Sequence, residues 1–118
     1  MLSTNSHQGH DKVLAATQIL KEVKGQTIET ATWETRPDGW NNIVIDTTPG
    51  RRLLIEGVVF KTTTNLEGLT IGEPNCCWYE SEAGTDTLWE IWIHGDDIRD
   101  RPLTIMGEGY DTLSVTLF

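Results

Sequence analysis

The sequence predicts an α+β, β-rich fold in which one N-terminal amphipathic helix is followed by six or seven mostly antiparallel strands. Two observations support this. Apolar residues recur every three to four positions only before Gly25, and beyond it they mostly alternate with polar residues. Most connections between the alternating segments are short, which favours antiparallel neighbours. Because one helix cannot cover both faces of a large sheet, we expect a curved sheet or a small sandwich.

The helical pattern occupies residues 11–24. Its apolar side chains recur at steps of three and four residues and form one stripe, namely Val13, Ala16, Leu20 and Val23. Asp11 is expected to cap the helix, because its carboxylate can accept the free backbone N–H groups of the first turn. Gly25 is expected to end it in a left-handed conformation. Residues 1–10 are polar and are expected to form a flexible segment before a single domain spanning residues 11–118.

Alternating segments of the sequence predict seven strands, at residues 27–35, 42–47, 52–60, 76–82, 87–94, 103–106 and 112–118. The first three and the last four are expected to form two sub-sheets. Residues 52–60 are apolar on both faces, with Leu53, Ile55 and Val59 on one of them, which is typical of a central strand. Gly57 inside that strand indicates a bulge or a close backbone approach.

Turn residues separate the first three strands, at Arg36–Gly39 and at Pro49–Gly50. The connection at residues 61–75 is long, and long connections are often functional or mobile. Its Leu66, Leu69 and Ile71 are expected to pin it to the core.

The charge is divided unequally along the chain. The protein has 118 residues and a net charge of −9. Residues 1–61 hold seven acidic and seven basic residues, whereas residues 62–118 hold eleven acidic residues and only Arg99 and Arg101. Such a field repels nucleic acid and anionic membranes and attracts basic partners or cations. We therefore expect a basic protein as partner and neither nucleic acid nor a membrane.

The cysteines and the N-terminus bear on the cellular compartment. Cys76 and Cys77 are adjacent, and side chains of neighbouring strand residues point to opposite faces, so a disulfide between them needs a distorted backbone. The N-terminal residues show no basic start followed by an apolar stretch, and no apolar run approaches the roughly 20 residues that cross a bilayer. We expect free thiols and a cytoplasmic protein.

Three of the five tryptophans, Trp78, Trp89 and Trp92, fall in the acidic hairpin, which we define as residues 76–94. A tryptophan beside carboxylates suits a basic side chain or a cationic ligand. The expected binding residues are Trp78, Glu80, Glu82, Glu90, Trp92, His94, Asp96 and Asp97. They predict a non-enzymatic binding protein that engages a basic partner through its C-terminal half. Nuclease inhibitors, immunity proteins and phage-encoded antagonists of host defence act in this way.

Two other functions fit the same residues. One is a small-ligand binding module with a tryptophan-lined pocket at a sheet edge or at a homodimer interface, where an uncovered apolar face would be hidden. The other is a hydrolase-type enzyme that uses His94 with Asp96, Asp97 or Asp100 as its acid–base or metal-binding groups. Glu80 and Glu90, if the hairpin brings them together, would form the carboxylate pair that glycoside chemistry requires.

No metal or cofactor is expected. His7 and His10 have the spacing of one helical turn, but a zinc site needs three or four ligands and the sequence offers no third ligand nearby. Common motifs for nucleotide binding, nucleophilic serine catalysis, zinc hydrolysis and calcium binding are missing from the sequence.

Overall fold

The computed structural model describes residues 1–62, 64–80, 87–93, 103–108 and 113–118, with side chains at 1–62, 64–75 and 113–118. Within these residues the chain forms one helix, α1 (His10–Lys21), and eight strands. The strands are β1 (Leu2–Ser3), β2 (Thr27–Thr35), β3 (Asn41–Thr48), β4 (Arg52–Val58), β5 (Pro74–Glu80), β6 (Thr87–Ile93), β7 (Leu103–Glu108) and β8 (Ser114–Leu117). The fold is therefore α+β and rich in β structure, as the sequence predicts.

The strands form two antiparallel sheets. The first has five strands in the order β1-β8-β4-β3-β2, and the second has three in the order β5-β6-β7. The expectation that the last four strands share one sub-sheet is wrong for β8, which pairs with β4 from Leu53↔Leu117 to Glu56↔Ser114. The apolar side of β8 explains this, because its buried Val115 and Leu117 continue the core face of β4.

A bulge in β4 confirms the role that the sequence assigns to Gly57. Asn41 pairs with Val58 and Asn42 with Glu56, which leaves Gly57 as the extra residue, at φ +82°. The bulge moves Val58 onto the core face, where it is fully buried, and leaves Val59 half-buried. The prediction that Val59 shares this face is therefore wrong, and β4 ends at Val58 instead of residue 60.

Helix α1 starts one residue earlier than predicted and ends three residues sooner. Gly9, at φ +59°, occupies the N-cap position, so the expectation that Asp11 caps the helix is wrong; Asp11 lies in the first turn. A positive φ is accessible to glycine at little cost, which accounts for the cap. Beyond Lys21 the backbone N–H groups of residues 22–24 bond three residues back, in a tighter turn, and Gly25 follows at φ +84°.

The N-terminal residues include a strand that the sequence does not reveal. Leu2 and Ser3 pair with Leu117 and Thr116 of β8. Thr4 is fully buried: its N–H donates to the carbonyl of Val115 at 3.0 Å, and its hydroxyl accepts the Val115 N–H at 2.9 Å. Residues 2–4 are thus held by β8, within a segment that we expected to be flexible. A strand of two residues is too short to show the alternation of polar and apolar side chains from which strands are predicted.

The hydrophobic core lies between α1 and one face of the first sheet. Its buried residues come from the helix, from the strands and from the 61–75 connection, namely Val13, Ala16, Ile19, Leu20, Val23, Ile28, Ile43, Ile45, Leu53, Ile55, Val58, Leu66, Ile71, Leu113, Val115 and Leu117. Burial of Leu66 and Ile71, with Leu69 packed beside them, confirms that this connection is pinned to the core.

Two leucines of α1 test this arrangement. Leu20 is fully buried, whereas Leu14, on the same helix, is 54% exposed. We expect Leu20→Ala to lower the free energy of unfolding by about 2–5 kcal/mol, because it removes buried methyl groups and leaves a cavity. Leu14→Ala should change it by less than about 1 kcal/mol. Urea denaturation followed by circular dichroism measures both, and equal losses would contradict the described packing.

Candidate functional site

The acidic hairpin is formed by β5 and β6, and their register places the predicted tryptophans. Trp78 is the Cα partner of Trp89, and Trp92 is the partner of Asn75. Trp78 and Trp92 therefore lie three positions apart along the ladder, which corresponds to about 10 Å. Their side chains lie outside the described residues, so their part in a binding surface stays a prediction.

The two glutamates of the hairpin strands are not cross-strand partners. Glu80 pairs with Thr87, and Glu90 pairs with Cys77 on one side and with Met106 of β7 on the other. They are three positions apart in the register, so the hairpin does not set them directly opposite each other as a carboxylate pair. Glycoside chemistry at these two residues thus gains no support from the register.

The remaining predicted residues lie outside the described part of the chain. They are Glu82, His94, Asp96, Asp97 and Asp100. The acid–base arrangement expected around His94 stays a prediction for the same reason. Cys76 and Cys77 occupy successive positions of β5, opposite Ile91 and Glu90.

The division of charge along the sequence corresponds to a division between the two sheets. The strands of the second sheet contain Glu80, Glu90 and Glu108 and neither lysine nor arginine. Residues 74–112 as a whole hold nine acidic residues and two arginines, a net charge of −7. The rest of the chain holds nine acidic and seven basic residues, a net charge of −2. The negative surplus therefore belongs mainly to the second sheet and its connections.

Ion pairs balance much of the charge around the first sheet. Lys24 lies 2.5 Å from Glu73, between their Nζ and Oε2 atoms, and Lys24 lowers the pKa of this carboxyl below its ordinary value. Arg36 pairs with Asp38 within the turn between β2 and β3. These pairs are partly exposed, so they contribute little to stability, but they leave less free charge on this part of the surface.

A third pair extends across the exposed face of three strands. The Nε and Nη2 atoms of Arg52 lie 2.8 and 3.3 Å from the carboxylate oxygens of Asp46. The hydroxyl of Thr30 donates to the same carboxylate at 3.1 Å. Hydrogen bonding from Arg52, and then from Thr30, holds the pKa of Asp46 below its ordinary value.

A cavity of about 440 Å³ opens at one end of the first sheet. Five segments line it: the β1–α1 connection, the first turn of α1, the β2–β3 connection, the bulged end of β4 and the start of β8. The polar, charged and aromatic side chains are Asn5, Lys12, Arg36, Asp38, Trp40, Glu56 and Ser114. Its volume lies within the range of small-molecule sites, and its walls carry both charge signs and one indole ring.

Lys12 is the lining residue that sequence reasoning missed. Only 6% of its surface is exposed, which is rare for a lysine. The sequence does contain a signal for its burial. Lys12 precedes Ala16 by four residues and Leu20 by eight, and so lies on the buried stripe of α1. Arg36 was assigned only to a turn and Trp40 to no element, since nothing in their spacing indicates a cavity.

The histidines near the N-terminus do not complete a metal site in the described structure. His7 donates its backbone N–H to the Thr4 carbonyl at 3.0 Å, and His10 is the first residue of α1. No group of three or more potential metal ligands occurs among the side chains that the structure describes.

Comparisons with models of known protein families, with curated proteins and with solved structures give no match for this chain. Among the described residues, α1 is the helix of the fold, and it is neither long nor apolar enough to cross a membrane.

The Asp46–Arg52 pair gives a pH-dependent prediction. Since the pKa of Asp46 is lower in the folded protein than in the unfolded chain, its contribution to stability is present above the unfolded value of about 3.9. This contribution is lost as the pH falls through the lower pKa that Asp46 has in the folded protein. Arg52→Gln should raise the pKa of Asp46, as followed by NMR of the carboxyl carbon. Arg51→Gln is the matched control, because Arg51 donates to the Phe118 carbonyl instead; an equal shift in both variants would contradict the assignment.

Proposed function

We propose that this protein is a non-enzymatic binding protein that engages a basic partner through residues 74–112. One observation carries the proposal: the second sheet and its connections have a net charge of −7, whereas the rest of the chain has −2. A concentrated negative field attracts a basic protein and increases its association rate. A carboxylate surface also suits a partner whose own site normally receives phosphate.

The tryptophans of the hairpin strands supply the apolar part of the proposed interface. Trp78 and Trp92 lie in β5 and β6, the strands that also carry Glu80 and Glu90. Tryptophan is enriched among the few residues that dominate binding energy at protein interfaces, and its ring can contact a lysine or arginine side chain. The proposed contact set comprises Trp78, Glu80, Glu82, Glu90, Trp92, His94, Asp96 and Asp97.

The proposed binding function favours three classes of acidic binding protein: inhibitors of nucleases, immunity proteins and phage-encoded antagonists of host defence. Adjacent cysteines in a regular strand suit a reducing compartment such as the cytoplasm.

Two charge-matched variants test where the basic partner binds. The first neutralises the five acidic residues of the proposed contact set: Glu80→Gln, Glu82→Gln, Glu90→Gln, Asp96→Asn and Asp97→Asn. The second neutralises five exposed acidic residues elsewhere: Asp11→Asn, Glu22→Gln, Glu29→Gln, Glu34→Gln and Glu67→Gln. Each variant loses five negative charges, so only the location of the change differs.

We expect the first variant to bind a lysine-rich polypeptide at least about tenfold more weakly than the second, by titration calorimetry at low salt. High salt should weaken binding of the unaltered protein. Melting curves establish that both variants are folded. Equal affinities of the two variants, or binding that is insensitive to salt, would refute the proposal.

The cavity at the end of the first sheet supports a second candidate, the binding of a small zwitterion. Lys12 provides positive charge, Glu56 negative charge and Trp40 an aromatic surface, beside Arg36 and Asp38, which pair with each other. A molecule with both an ammonium and a carboxylate group, such as a free amino acid, is complementary to such walls. The tryptophan here is Trp40, whereas the sequence pointed to the hairpin tryptophans for a pocket of this kind.

A thermal-shift screen with free amino acids tests this candidate. We expect at least one to raise the melting temperature by a few degrees at millimolar concentration, because a ligand of the native state stabilises it. Trp40→Ala should abolish that shift. Trp33→Ala, which removes a tryptophan that packs against the core outside the cavity, should retain it. A shift that persists in Trp40→Ala would place the ligand elsewhere.

A further inference from the structure

Strand β2 forms an edge of the first sheet, and the described residues cover only its beginning. The N–H of Ile28 donates to the Leu69 carbonyl at 2.8 Å, and the N–H of Gly68 donates to the Ile28 carbonyl at 2.8 Å. A bulge follows between Ile28 and Thr30. From residue 29 to residue 35, the structure describes no strand or loop hydrogen-bonded to the outer side of β2.

This open segment has few of the devices that protect sheet edges. Edges are usually blocked by lysine, proline, a bulge or a short strand. Residues 29–35 contain neither lysine nor proline; the bulge lies at Glu29, the first of them, and residues 30–35 form a regular run of six. Thr30, Thr32 and Glu34 are exposed, whereas Ala31 and Trp33 are half-buried and pack against the core. From Thr30 onward the edge is therefore regular, and Glu34 is the one charged residue in it.

We propose that this edge pairs with the same edge of a second copy of the chain, antiparallel about a two-fold axis at Thr32. The core-facing sides of the two sheets must lie on the same side of the joined sheet. This requires that odd-numbered residues of β2 pair with odd-numbered residues of the partner strand, and even-numbered with even-numbered. An axis at Thr32 also uses all seven open residues. With the axis at Ala31, the partner strand would overlap Leu69, which already bonds to Ile28. With the axis at Trp33, it would overlap the Arg36–Gly39 turn.

The side chains of β2 are complementary to themselves in this register. Thr32 lies opposite the partner's Thr32, and Trp33 lies opposite the partner's Ala31 on the core side. Each glutamate faces a threonine: Glu34 opposes the partner's Thr30, and Glu29 opposes the partner's Thr35. No like charges oppose each other, and such cross-strand pairs are the unit of sheet stabilisation. The two five-stranded sheets become one continuous sheet with an isologous contact.

Charge substitutions at two exposed positions test the axis. Thr32→Arg sets two arginines opposite each other and should weaken dimerisation about tenfold. Thr30→Arg sets each arginine opposite a glutamate of the partner and should leave the dimer intact. Sedimentation equilibrium at low salt measures both against the unaltered protein. A monomeric unaltered protein at about 100 μM, well above typical micromolar constants, overturns the proposal. So does a dimer that Thr32→Arg leaves unchanged.

Disulfide trapping keeps the proposal testable even if an arginine variant misfolds. In the dimer, the two residues at position 32 are about 5 Å apart, within disulfide reach. The two residues at position 30 are separated by four positions along the paired strands, which corresponds to about 13 Å. Mild oxidation should therefore link Thr32→Cys chains to each other through residue 32, as identified by peptide mapping, and leave Thr30→Cys chains unlinked at residue 30. Equal linking at both positions, or none at residue 32, overturns the proposal.

Discussion

The pairing of β8 with β4 is the interaction on which the rest of the structure depends. Without it, β4 would be an edge strand, although Leu53 and Ile55 are completely buried. Leu113, Val115 and Leu117 complete the core above them. The chain between these two strands, residues 59–113, therefore leaves the first sheet and returns to it. The chain segments that precede and follow the second sheet, at Ile71 and Leu113, are both buried in the same hydrophobic core.

The division of charge along the sequence coincides with the division of the strands into two sheets. The acidic residues of 74–112 are separated in the chain from most of the basic residues, and three of them, Glu80, Glu90 and Glu108, lie on strands of the second sheet. Ion pairs such as Arg52 with Asp46 and Arg36 with Asp38 balance charge around the first sheet. This contrast between an acidic segment and a nearly neutral remainder of the chain is the basis of the binding function that we propose.

Local features of the fold were predictable because they depend on neighbouring residues. Glycine at position 57 indicated the bulge, the Arg36–Gly39 turn formed where its residue types predict, and the leucines and isoleucine of the 61–75 connection indicated its burial. Some of the wrong predictions concern pairing between distant strands, and others, such as the cap of α1 and the face of Val59, concern local backbone geometry. Nothing in the alternation of residues 112–118 tells which strand they will join. The cap at Gly9 depends on a backbone angle that residue type permits but does not impose.

The same distinction applies to the candidate sites. The cavity is assembled from five separate segments, so its composition depends on topology. Only the unusual position of Lys12 on an apolar stripe was visible in the sequence. The register of the hairpin likewise depends on where its turn lies, which is why the proximity of Glu80 and Glu90 was open in the sequence. The open edge of β2 follows from the strand order alone.

The return of β8 also affects how the chain folds during synthesis. Leu2 and Leu117 are paired although they are separated by nearly the whole chain, and topologies rich in such distant contacts fold slowly. A nascent chain that has completed β3 and β4 leaves one side of β4 unpaired until β8 appears more than fifty residues later. During that interval the exposed strand, rich in leucine and isoleucine, is a site for aggregation. The yield of folded protein would then depend on the speed of translation and on chaperones more than on the stability of the native state.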